Sequence, residues 1–249
     1  MKLAPTKINM YAILAMVVCF AAIISAVMAV EPEGASITYI SNSTKNATAP
    51  SSRNDSKGTI TTLTLSAIQQ NYKWKAYVGN VTGTLVLQDS SSYSIYEWTA
   101  LSNPSGMIYI TRDNSITWPQ VKCANQTTIA LEQENLNHSV TASDNINHTF
   151  SYTAHQSFYV GDVHIDNSTC KSVATWINNS LQSVNEDSNF QEILLQDDSN
   201  LVYAAVVEQN SFSYRNDNST YDFQALVADS ALPGVTGQST YYFYIEISA

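Results

Sequence analysis

The chain has 249 residues, 44% of them hydrophobic and only 13% charged, and a formal net charge of −10. That length supports one large domain or two small ones with a real core. Phosphate binding needs clustered Lys and Arg, so 11 scattered basic residues against 21 acidic ones exclude nucleic acid as a partner.

Residues 1–29 read as an export signal. Met1–Asn9 carries Lys2 and Lys7, Met10–Val27 is uncharged and apolar, and Val27-Met28-Ala29 offers short side chains for cleavage after Ala29. The apolar run is about 18 residues, the lower limit for crossing a bilayer, so an uncleaved membrane anchor is the alternative. Residues 30–57 are dominated by Ser, Thr and Asn and read as a flexible tether, within which Ser36–Ile40 could pair as an edge strand.

Thr59–Ile68 (TITTLTLSAI) alternates as a half-buried strand does. Beyond it, Tyr77, Gly79, Val81, Gly83, Leu85 and Leu87 share one parity, and Val78, Asn80, Thr82 and Thr84 the other. This parity predicts one continuous strand through GNVTG. Its glycines would leave gaps on the core face that a neighbouring ring can fill, and Asn80 would face outward. Asp89–Ser92 is the turn and Tyr93–Thr99 the returning strand; Asn103-Pro104-Ser105-Gly106 is a further turn. Met107–Thr111 and Ser115–Trp118 come next as short strands, then a helix near Thr127–Asn137.

Thr149–Ala154 and Ser157–Ile165 alternate again, while Val173, Ile177, Leu181 and Val184 predict a helix over Cys170–Val184. Four strands close the chain: Phe190–Gln196, Leu201–Glu208, Ser219–Ala228 and Thr240–Ser248. The pattern is all-β, an antiparallel β-sandwich of roughly ten strands, with one or two short helices in the middle and an N-terminal signal or anchor helix. The sandwich would span 58–249, or divide into two packed β modules with a helical, disulfide-closed insert over 121–184.

Cys19 falls in the export signal, leaving Cys123 and Cys170, which in an oxidising compartment pair as a disulfide. Ten N-x-S/T acceptors occur, at Asn42, Asn46, Asn54, Asn80, Asn125, Asn137, Asn147, Asn167, Asn178 and Asn218. Behind an export signal they predict glycosylation at several positions. GDVHID sets Asp162, His164 and Asp166 on one strand face, a spacing that can present ligands to a divalent cation, with His155 or His148 as a further ligand. The QDDSN and RNDNS loops offer oxygens suited to calcium. A hydrogen-bonded or solvated polar face explains the same residues without any cofactor. Tyr242 and Tyr244, on the less apolar side of the last strand, would make a contact patch if exposed.

WKAYVGNVTGTLVL, NPSGMIYITR, NSTC, FQEILLQDDSNLVYAA and TYYFYIEI together resemble a family of secreted archaeal surface proteins with a G-N-V-[ST]-G strand and a Y-Y-F-Y-x-E C-terminal strand. The resemblance covers Thr59 to the end. It implies an envelope or extracellular location and carries no activity or catalytic residue.

G-x-S-x-G and H-E-x-x-H are absent from the sequence, as is a nucleophilic Cys beside a paired His. These readings predict a non-enzymatic glycoprotein of the cell surface or extracellular space: an envelope, sheath or filament component. Its partners would be other surface proteins or copies of itself, glycans, and the membrane through an uncleaved N-terminus. A carbohydrate-binding or adhesion module is the alternative. A secreted hydrolase comes third, with Glu97, Glu192 and Glu208 as the available carboxylates.

Overall fold

A computed structural model describes residues 31–98, 105–232 and 239–248. The expected export signal with its expected cleavage point, and Asn103-Pro104 of the expected turn, lie outside them.

In chain order the strands are β1 (Glu33–Gly34), β2 (Trp74–Gly79), β3 (Leu85–Gln88), β4 (Ser94–Trp98) and β5 (Ser105–Thr111). Next come β6 (Lys122–Cys123), β7 (Phe158–Val160), β8 (Val163–Ile165) and β9 (Ser172–Ala174). The last six are β10 (Gln191–Gln196), β11 (Leu201–Val206), β12 (Ser211–Phe212), β13 (Thr220–Tyr221), β14 (Phe223–Ala228) and β15 (Tyr242–Ser248). Two α-helices, α1 (Gln126–Asn135) and α2 (Ile146–Thr149), interrupt them. All strand pairs are antiparallel, so the protein is all-β with few helices.

The C-terminal apolar runs build the centre. A seven-stranded sheet has the order β1-β15-β5-β11-β10-β6, with β9 also pairing β10. Every residue of β10 (QEILLQ) and β11 (LVYAAV) is buried. A strand with no polar face must be covered on both sides. Leu194, Tyr203 and Ile110 point into one core with Ile129, Phe150 and Val227; Ile193, Val202 and Tyr109 point into the other with Val160 and Trp118. β15 sorts by the same parity, sending Phe243, Ile245 and Ile247 to the first core and Tyr244 to the second. Each fully buried aliphatic side chain contributes about 1.5–3 kcal/mol, so these two layers hold the molecule together.

The first core is covered by α1, α2 and the β2–β14 pair. α1 lies where the sequence places a helix and has a defined cap at each end. The Asn125 side chain accepts the Thr128 N–H at 2.9 Å, satisfying an orphan donor of the first turn. At the other end Asn137 is left-handed (φ 57°), and the N–H groups of Asn137 and His138 bond the carbonyls of Glu134 and Gln133. That pair of bonds is a Schellman closure.

Cys123 and Cys170 form a disulfide, as expected. β6 and β9 both add to β10, at Leu195–Gln196 and Gln191–Ile193. Between them Leu194 donates its N–H to Lys171 and accepts from Ala124. The chain therefore leaves β10's edge and returns to it at one residue. The intervening segment supplies Ile129 and Phe150 to one core and Val160 and Ile165 to the other. It wraps the edge of the sheet as a clamp, and the disulfide joins its two ends.

Besides the GNVTG strand, taken up below, four expected elements differ. Thr59–Ile68 forms no strand: it carries no assigned secondary structure and no backbone ladder bond. Ser115–Trp118 is not a strand; Trp118–Gln120 is a 3-10 turn with Pro119 in it. Thr149–Ala154 keeps one bridge, Tyr152 to Ser172. Cys170–Val184 is not helical: β9 runs into a tight hairpin in which Asn178 and Asn179 are left-handed (φ 48° and 59°) and Ile177 and Ser180 exchange both backbone bonds. Two successive positive φ values are what a two-residue type I′ turn requires. Here turn chemistry overrides a helical apolar spacing.

Candidate interaction surface

The GNVTG stretch departs from the expected continuous strand. β2 ends at Gly79, yet the parity holds for four positions: Tyr77 packs on the first core, Gly79 lies under the Phe223 ring, Val81 is buried, and Gly83 abuts the Ile247 side chain. Asp222 enforces this, accepting the Val81 N–H at 2.8 Å while its own N–H bonds the Gly79 carbonyl. Past Gly83 the chain leaves the core, and Asn80 is exposed as expected.

Outside the core the chain forms a two-stranded hairpin that stands apart from the other sheets. Among the described residues β3 and β4 pair only with each other. Asp89 closes the turn, its side chain accepting the N–H groups of Ser91 and Tyr93 at 2.9 Å each. In register, Leu87 faces Tyr96 and Leu85 faces Trp98, and the Tyr96 and Trp98 rings meet edge-on at 5.0 Å. Leu87, Tyr93, Ile95, Tyr96 and Trp98 are 52–80% exposed. An isolated two-stranded hairpin is only marginally stable in water.

The segment before β2 is equally open. β1 runs along the outer edge of β15, Glu33 opposite Ile245 and Gly34 opposite Tyr244, and Ala35 donates to Phe243. This edge pairing falls just before Ser36–Ile40, which is exposed and unpaired. Lys45 bonds the Ile68 carbonyl through its ammonium at 2.6 Å. From Ile60 to Ala67 no backbone group bonds any described residue.

Nine of the ten glycosylation acceptors are exposed. Asn42, Asn46 and Asn54 lie on the N-terminal segment, Asn125 caps α1, and Asn137, Asn178 and Asn218 occupy left-handed turn positions. Asn167 donates to Glu186 at 2.5 Å. Asn147 is the exception: it is half-buried, with its side-chain oxygen enclosed.

The residues expected to hold a cation are dispersed. Asp162 sits in the β7–β8 turn, His164 on β8 and Asp166 just beyond it, with His164 Nδ1 and Asp166 Oδ1 3.1 Å apart. His155 is buried and committed: its Nε2 accepts the N–H groups of Thr169 and Cys170, and Nδ1 donates to the Gln156 carbonyl. His148 Nδ1 faces the Ala142 carbonyl at 2.8 Å. Among the described residues no three His, Cys, Asp or Glu side chains converge on a point.

The carboxylates have architectural work. Glu192 is fully buried beneath β14, accepting the Leu226 N–H at 2.8 Å, and burial pushes its carboxyl well above the usual range. Glu208 accepts the Phe190 N–H and is likewise raised by burial. Glu246 takes the Tyr109 hydroxyl at 2.9 Å and the Gly161 N–H, tying the β7–β8 turn to β15. Glu97 lies on the exposed hairpin. Of the two tyrosines watched on the last strand, Tyr244 packs on Trp118 at 5.2 Å, and Tyr242 is the more exposed. An open groove of about 480 Å³ beside Asn71, Lys73, Asp144 and Leu232 has its acid already engaged, Asp144 receiving Lys73 and Asn71.

Set against protein families, curated proteins and solved structures, the chain matches none.

Proposed function

We propose that this chain is a non-enzymatic, glycosylated structural or interaction protein of the cell surface or extracellular space, a component of an envelope, sheath or filament. The carrying observation is a division of labour along the chain. Residues from Ser105 onward, joined by β1 and β2, form a doubly covered sheet, which we take as a β-sandwich with the β2–β14 pair as its second layer. The Thr59–Ile68 segment and the β3–β4 hairpin instead leave strand-forming apolar residues in solvent. Export, exposed acceptors and the resemblance to secreted archaeal surface proteins point the same way. Intact-mass measurement and electron microscopy of the protein from its native envelope test the reading. Glycan mass on an extracellular assembly is the expected result; a bare polypeptide confined to the cytoplasm would overturn it. The edge-on Tyr96–Trp98 pair favours a second reading, a carbohydrate-binding module. A glycan array without hits would remove it.

A further inference from the structure

We infer that Thr59–Ile68 of one copy adds as a strand to the β3–β4 hairpin of a second copy, head to tail. The inference deepens the surface-protein reading and rests on it.

The two segments are complementary halves. Ile60, Leu63, Leu65 and Ile68 are 57–98% exposed on a backbone without ladder partners. Ten extended residues reach about 33 Å, longer than either hairpin strand. The hairpin presents two open edges, with neither Pro nor Lys to block them, although such edges are ordinarily protected. A third strand is also what a marginal two-stranded hairpin needs for stability.

The area fits. Aliphatic side chains of about 60–120 Å² and rings of about 150–250 Å², scaled by their exposure, give about 550–1,000 Å² as the apolar surface that arm and hairpin together leave in solvent, the upper bound on what their contact buries. A stable interface buries about 1,200–2,000 Å², of which roughly 57% is apolar. The two ranges overlap.

The acceptor map leaves both halves clear. Neither 59–68 nor 85–98 contains an acceptor, although Asn42, Asn46, Asn54 and Asn80 flank the arm and Asn80 precedes the hairpin. Glycans would therefore border the contact without covering it. Because arm and hairpin are different surfaces, the contact is heterologous, and repeated addition builds an open polymer or a ring.

The test uses the full chain purified from expressing cells, followed by light scattering and negative-stain microscopy over a dilution series. Wild type should polymerise. The arm variant Leu63→Lys/Leu65→Lys and the hairpin variant Tyr96→Lys/Trp98→Lys should each be monomeric with unchanged circular dichroism. Mixed together they should form a capped one-to-one dimer, since one retains its hairpin and the other its arm. A wild type monomeric at every dilution, a variant that still polymerises, or a mixture that stays monomeric would each overturn the inference. So would amide protection of 59–68 in the monomer, which would mean that the arm folds back on its own hairpin. A glycosylated monomer would refute the contact alone, whereas bare polymers would refute only the glycoprotein reading.

Discussion

Removing the Cys123–Cys170 disulfide should cost more than any single side chain on the surface, because of where it closes the chain. The bond joins residues 47 apart, and a loop of that length lowers unfolded-chain entropy by about 4 kcal/mol at 25 °C. Its native geometry needs no distortion: Ala124 and Lys171 already meet on Leu194, and the two Cα atoms are 4.9 Å apart. For a domain of this size each kcal/mol shifts the melting temperature by about 2–4 °C, so Cys123→Ala/Cys170→Ala should melt about 8–16 °C lower. The clamp also predicts how unfolding begins. Its segment covers both faces of the sheet, so Trp118 fluorescence should change with the far-UV signal in wild type and ahead of it in the variant. Differential scanning fluorimetry, with phosphine-reduced wild type as a second route to the open clamp, reads both effects. If the variant and the reduced protein melt with the oxidised wild type, the clamp reasoning fails.

Three further outcomes are expected. Gly106→Ala should destabilise by about 3 kcal/mol or more, because Gly106 has φ +140° and its Cβ would strike the Glu246 carbonyl of β15. Gly83→Ala meets only the tip of the Ile247 side chain and should cost about 1 kcal/mol; urea melts giving the reverse order would refute the β5–β15 register. Glu192 has a carboxyl raised by burial, so the folded protein holds a proton that the unfolded chain releases. Its contribution is fully present below the unfolded carboxylate range and is lost as pH rises toward the folded value. Glu192→Gln keeps the Leu226 bond and should match wild type near pH 4, then gain on it steadily toward neutrality; a difference that is flat with pH would sink the argument. Asn125→Ala should lose both an acceptor and a helix cap, costing about 1 kcal/mol. Asn125→Asp should lose the same attached glycan mass while keeping wild-type stability, and equal melting of the two variants would deny the cap.

The strands that the sequence located well are those whose partners are also in the chain. β10, β11, β14 and β15 fall within the predicted segments because their apolar runs end at turn residues. What the pattern could not convey was that LVYAAV lies buried on both faces, since continuous apolar runs fit several burial schemes. The C-terminal helix expectation failed at Asn178-Asn179, where two residues tolerant of positive φ outweighed an apolar period of 3.6. Even there a signal existed: consecutive Asn residues are rare inside helices and common in I′ turns. Thr59–Ile68 failed differently. Its alternation is genuine strand chemistry, but a strand also requires an edge, and whether an edge lies within reach is not written in the segment itself. The histidine cluster illustrates the same limit. Spacing put His155 near candidate ligands, whereas the fold spends both its nitrogens on backbone groups.

Charge sharpens the case for where copies meet. At net charge −10 the molecules repel one another over most of their surface. Thr59–Ile68 carries no charged side chain, and the hairpin carries only Asp89, engaged in its own turn, and Glu97. Contact through these two segments therefore avoids most of the like-charge penalty that a random encounter would meet. An uncharged, alternating, edge-exposed strand is also the usual seed of uncontrolled aggregation. If copies meet as proposed, repulsion elsewhere and an uncharged strip together favour one directed contact over many sticky ones.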